Sequence, residues 1–117
     1  MTIDHVLAVV PVSDLVSATA WYDRLLGRPP DNRPMDTLVE WRITDSAWLQ
    51  VTNGWGEPGT ALVNFAVDDL SEHLDGMRSR GLDPGPVQNV TNGVQLSAIV
   101  DPDGNTITLI GHFRVTY

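Results

Sequence analysis

The chain repeats itself. Val12, Asp14 and Leu15 recur as Val67, Asp69 and Leu70, each 55 positions later, and Gly27 recurs as Gly81 at a spacing of 54. In both places a β-branched apolar run ends and an aspartate able to cap a helix follows. An apolar stripe at helical spacing comes next, and a glycine stops it. Each unit then closes with two strand-like runs around a polar turn. The first spans residues 38–52 around Thr44-Asp45-Ser46, and the second spans residues 94–111 around Asp101-Pro102-Asp103-Gly104-Asn105. Such a sequence suits the same small strand-helix-strand unit built twice; the plainer reading is the punctuation that any β–helix–β protein carries.

Read in order, residues 3–12 form an apolar strand that bulges or lies at an edge at Pro11, which has no N–H to donate. Ser13 or Asp14 caps a helix with Leu15, Ala18, Tyr22, Leu25 and Leu26 on its apolar stripe. Gly27 and Pro29-Pro30 terminate it. Residues 28–36 allow at most a short edge strand. Residues 38–43 and 47–52 read as strands, and 61–67 as another. Asp68 or Asp69 caps a second helix, with Glu72 at capping-box spacing from Asp69 and a stripe of Leu70, Leu74 and Met77. A Pro/Gly break at 83–86, a short strand at 87–91 and the hairpin 94–110 follow. The predicted fold class is α+β. Two βαβββ modules, related by pseudo-two-fold symmetry, form a cupped, mostly antiparallel sheet. The whole of 1–117 is one domain, with module one at 1–53, a linker at 54–60 and module two at 61–112.

Charge narrows the partners. Fifteen acidic residues face seven basic ones, all arginine, for a net charge of −8. That excludes a phosphate-binding footprint for nucleic acid and disfavours anionic membranes. No cysteine is present, so neither disulfides nor thiolate chemistry enter. The N-terminal run lacks the basic region of a secretion signal, and a cytoplasmic location is expected. At 117 residues the core is modest, so a homodimer is the expected assembly.

Four stretches together resemble the vicinal oxygen chelate superfamily, the glyoxalase, bleomycin-resistance and extradiol-dioxygenase group. They are Val10-Pro11-Val12-Ser13-Asp14-Leu15, Ala20-Trp21-Tyr22-Asp23-Arg24-Leu25-Leu26-Gly27, Val67-Asp68-Asp69-Leu70 and Asp101-Pro102-Asp103-Gly104-Asn105. The resemblance implies paired βαβββ modules, a cupped sheet and usually a dimer. It also implies, in many members, a divalent metal in the cup that chelates substrate through two neighbouring oxygens. Carried over by position, the four metal-ligand places fall on Leu7, Gln50, Leu62 and Thr108. Two hydrocarbon side chains, an amide and a hydroxyl make a poor set for such an ion. The expectation is therefore no cofactor and no metal centre. A site built on His5, two residues before Leu7, is the alternative.

For a metal-free cup, the expected ligand-binding residues are His5, Trp41, Trp48, Gln50, Asn64 and Thr108. Trp41 is expected opposite Trp48, sharing a face with Val39 and Gln50, while Leu49 and Val51 face the helices. Thr106, Thr108 and Ile110 are expected on the cup face with Ala98, and Asn64 beside Leu62. The same residues have structural readings: a core tryptophan pair, buried amides and a strand-end histidine. His73 reads as solvated, His112 as a strand-end or cup-rim residue, Tyr22 as packing, and Trp55 as a lid or contact in a Gly-rich loop. A wall of indoles with a few neutral polar groups suits a flat or amphiphilic organic ligand, and the acidic chain favours cationic ones. The leading functional reading is a bleomycin-resistance-like binding protein for a small organic molecule. An enzyme (lyase, isomerase or dioxygenase) with an atypical metal or His-based site is the second reading, and a structural dimer with a filled cup is the third.

Overall fold

The strand-helix-strand-strand-strand order appears twice in the computed structural model, which describes residues 2–113. Module one comprises β1 (Val6–Pro11), α1 (Leu15–Leu26), β2 (Asn32–Met35), β3 (Leu38–Thr44) and β4 (Ala47–Thr52). Module two comprises β5 (Leu62–Val67), α2 (Leu70–Ser79), β6 (Gln88–Asn89), β7 (Gln95–Val100) and β8 (Thr106–Gly111). The sheets have matching orders, β1-β4-β3-β2 and β5-β8-β7-β6. In each, the first and last strands of the module run parallel and the other pairs antiparallel. The two sheets stay separate within the chain. Each packs its own helix on one face, and residues from both modules share one core.

The helix signals act as their chemistry requires. Asp14 accepts from the Val16 and Ser17 N–H groups, and Gly27 closes α1 at φ 76°. Asp69 accepts from Glu72 N–H, but the reciprocal half of the expected capping box comes from Asp68, whose Oδ1 accepts from Asp69 N–H. The first strand starts at Val6, later than expected, and His5 lies before it.

The acidic turn of the last hairpin locks the modules together. Asp101 Oδ1 accepts from the N–H groups of Asp103 and Asn105, each at 2.9 Å. Asn105, fully buried, donates through Nδ2 to Pro11 O and to Asp101 Oδ2, both at 2.8 Å, and accepts from Ala61 N–H at 2.9 Å. One amide thus ties together β1, the residue before β5 and the β7–β8 turn. The Ser13 hydroxyl adds a 2.6 Å bond to Asp103. Gly59, in the linker, has φ +85°, and a Cβ there would lie 2.2 Å from Asp103 O, so only glycine lets the linker pass. At the other end of α1, Arg80 from module two donates to the carbonyls of Arg24 and Leu25, where a cation also suits the helix dipole.

Tyr22 completes the lock, donating its hydroxyl to Asp101 Oδ2 at 2.8 Å from a fully buried position. Burial, reinforced by the charge of Asp101 and the bond to it, holds this hydroxyl far above the ordinary tyrosine range. The folded chain therefore keeps a proton that the unfolded chain loses above about pH 10. The resulting stabilisation is complete below that pH and declines as pH rises further. Urea midpoints measured from pH 8 to 11 should fall more steeply for the native chain than for Y22F. Parallel slopes would contradict this assignment.

Candidate functional site

Strand alternation sorts each sheet into a helix face and an open face. In sheet one, Val10, Val39, Trp41, Leu49 and Val51 are buried against the helices. The alternate residues form two rows across the open face. One runs Leu7, Trp48, Arg42, and the next runs Val9, Gln50, Glu40, Asn32. Leu7 is 50% exposed and Val9 38%, with Trp48 and Gln50 half-buried beside them.

The expected tryptophan pair does not form. Trp41 opposes Leu49, and Arg42 opposes Trp48. The ladder shifts between Arg42 and Thr44, where Ile43 is the extra residue. A one-residue difference in register moves a side chain to the other face. Trp41 accordingly sits in the core at 0% exposure, donates Nε1–H to Arg28 O at 2.9 Å, and lies 6.1 Å from the Tyr22 ring centroid. Only Trp48 of the two indoles reaches the open face with Gln50.

Missed by the sequence reading was Glu40. Its Oε2 accepts from Gln50 Nε2 at 2.9 Å and its Oε1 from Asn32 Nδ2 at 3.3 Å, making a polar row across three strands. Asp31 pins the strand that carries Asn32 by accepting from Arg42 N–H and from the Arg28 guanidinium, each at 2.7 Å. These bonds, the backbone one first, hold the Asp31 carboxyl below its usual range. Strict alternation in Val39-Glu40-Trp41-Arg42-Ile43 was the available signal: it sets Glu40 and Arg42 opposite the apolar residues.

In sheet two the open face carries Leu62, Asn64, Ala66, Thr106, Thr108, Ile110, Leu96, Ala98 and Val100. Asn64 lies directly beside Thr108, as Val9 lies beside Gln50 in sheet one, and both Asn64 and Thr108 are accessible. Gln50 and Thr108 belong to different sheets. His5 is exposed ahead of β1. His73 lies 3.3 Å from Asp68 on α2, and His112 follows β8 at φ 57°. The positions Leu7, Gln50, Leu62 and Thr108 thus lie on the open faces, but their side chains do not fit a divalent ion. Among the described residues, no three His, Cys, Asp or Glu side chains gather closely enough to hold one.

A second candidate is a cavity of about 530 Å³. It runs along β5 between the end of α1, the β3–β4 turn and α2, and includes Leu25, Phe65, His73, Met77 and Arg80. It shares only Asn64 with the expected site. Asn64 and Ala66 of the open face of sheet two reach its wall, and elsewhere an uncovered sheet face becomes a cleft only when a second surface lies over it.

The comparisons fit this geometry. Residues 2–109 match the sequence profile of the Glyoxalase/Bleomycin resistance protein/Dioxygenase superfamily. The chain belongs to that family. A glyoxalase/bleomycin resistance protein from Catenulispora acidiphila superposes with a TM-score of 0.85 at 31% identity, over 92% of this chain and 96% of that one. A bleomycin-binding protein in complex with bleomycin gives 0.75 at 23% identity, over 94% and 99%. The antibiotic-binding protein TnmS3 from a Streptomyces species gives 0.72 at 24%, over 95% and 98%. The last two likenesses concern the fold. No curated protein sequence matches the chain. Among the described residues no helix is long and apolar enough to cross a membrane.

Proposed function

We propose that this member of the glyoxalase/bleomycin-resistance superfamily binds a small organic molecule on its open sheet faces without a metal ion, as a homodimer. The observation that carries the reading is the open face of sheet one. It sets an accessible indole, Trp48, among Leu7, Val9 and Gln50 where metal-binding relatives need charged or imidazole ligands. Indole and aliphatic surface give a ligand contact area, and the amides of Gln50 and Asn64 with the Thr108 hydroxyl orient it. A solved bleomycin-binding protein with the same fold supports the class of ligand. Titrating the protein with bleomycin and with a panel of aromatic and cationic metabolites, while following tryptophan emission, tests the reading. Saturable change that persists in chelator is expected. A stoichiometric divalent ion in protein purified without added metal would overturn the metal-free part and favour the enzyme reading.

The second copy supplies the cover. Leu62 is 82% exposed at the start of β5 and Val100 56% exposed on β7, with Leu7 and Val9 open on sheet one. Apolar faces of this kind on both sheets of one small chain are what a partner buries. Sedimentation equilibrium should give twice the 12.8 kDa chain mass. Leu62→Asp should return the chain to a monomer with its fold intact, because the added charge is exposed in the single chain. A native chain that sediments as a monomer at every concentration would contradict the dimer.

A further inference from the structure

We infer that Glu40, oriented by Gln50 and Asn32 beside Trp48, is the recognition group for a positively charged nitrogen on the ligand, an ammonium or amidinium carried on an apolar or aromatic body. This rests on the proposed binding of a small molecule at the open face of sheet one and names the chemical class that the face takes.

Three observations carry it. First, Glu40 has no ion-pair partner among the described residues, although it stands two positions from Arg42 on the same face. The Arg42 guanidinium instead bonds Asp45 at 2.8 Å, at the hairpin end. Among the described residues no cationic side chain bonds the carboxylate, and each of its oxygens holds spare acceptor capacity.

Second, the supporting bonds are all donated to the carboxylate. Gln50 Nε2 and Asn32 Nδ2 each donate to one of its oxygens, and the Gln50 amide oxygen, which takes no part in these bonds, is another acceptor. A carboxylate beside an amide oxygen suits a group with several donors and no acceptor. An ammonium or amidinium is such a group, and a carboxylic acid or phosphate is its opposite.

Third, the neighbours are apolar. Val9 lies next to Gln50 in the same row, and Leu7 and Trp48 form the adjacent row. They offer the hydrocarbon and indole surface for the rest of the ligand, and the indole face itself favours a cation. Sheet two does not repeat the arrangement. Beside Thr108, the counterpart of Gln50, β7 presents Ala98 in place of a carboxylate. The cation preference therefore belongs to one sheet, which gives an otherwise pseudo-symmetric cleft a charged end and a neutral end.

A matched pair of probes tests this: 4-phenylbutylammonium and the neutral 4-phenylbutanol, titrated into the full-length protein at low salt while the Trp48 indole N–H signal is followed by NMR. The native protein should bind the ammonium at least about tenfold more tightly than the alcohol, as expected for one charge-assisted contact. Glu40→Gln should abolish that preference, and its unfolding midpoint shows that the fold survives. Raising the salt should weaken only the ammonium. If both probes move Trp48 with equal affinity, or if E40Q keeps the preference, the role of Glu40 is overturned while the binding face stands. If neither probe moves Trp48, the binding face falls and this inference falls with it.

Discussion

Asn105→Ala is expected to lose about 4 kcal/mol of stability, because it removes the bonds to Pro11 O, Asp101 Oδ2 and Ala61 N–H from a fully buried position and opens a small void. For a chain of this size that corresponds to a fall in Tm of roughly 15 °C. The large effect from a turn residue follows from its place. The side chain lies at 0% exposure and bonds to segments 94 and 44 positions away. A change that keeps the shape gives a sharper check. Asn105→Asp sets a second carboxylate against Asp101 Oδ2, 2.8 Å from the atom it replaces, so it should be destabilised at neutral pH and partly rescued in acid. A loss below about 1 kcal/mol for the alanine variant would mean that this turn does not hold the modules together.

The second large effect separates the two tryptophans of the first hairpin. Trp41→Ala should cost about 4 kcal/mol, since it empties a fully buried site against α1 and orphans Arg28 O. Trp48→Ala should cost no more than about 1 kcal/mol, because that indole lies partly exposed on the open face. For binding the order reverses. The Trp48 variant should lose about tenfold or more in ligand affinity, the usual result of removing a central aromatic anchor. Trp41→Phe, which keeps the core filled, should bind as the native chain does. Urea denaturation with parallel titrations measures both. Equal stability losses for the two alanine variants would contradict the register that places them on opposite faces.

Much of this was legible before any coordinates. The repeat at 55 positions marked both modules, and Asp14, Asp69, Gly27 and Gly81 marked the helix ends, because capping and left-handed stops are local chemistry. The faces of β5, β7 and β8 followed from alternation alone. The first hairpin did not, because its register depends on Ile43, an extra residue in β3. Misplacing that pairing by one residue put Trp41 on the binding face and hid Glu40. Alternation within β3 alone pointed the right way, with Val39 and Trp41 on one side and Glu40 and Arg42 on the other. The role of Asn105 was hidden for another reason. Its partners Pro11 and Ala61 are distant in sequence, and no local pattern announces a bond across 94 positions.

The most direct test of the central claim follows the indole and backbone N–H signals of chelator-treated protein as bleomycin, then the wider panel, is added. The Trp48 signal should shift in a saturable way while that of Trp41 stays fixed. Shifts confined to the cavity along β5, at Phe65 and Met77, with Trp48 unmoved, would place the ligand elsewhere and contradict the account.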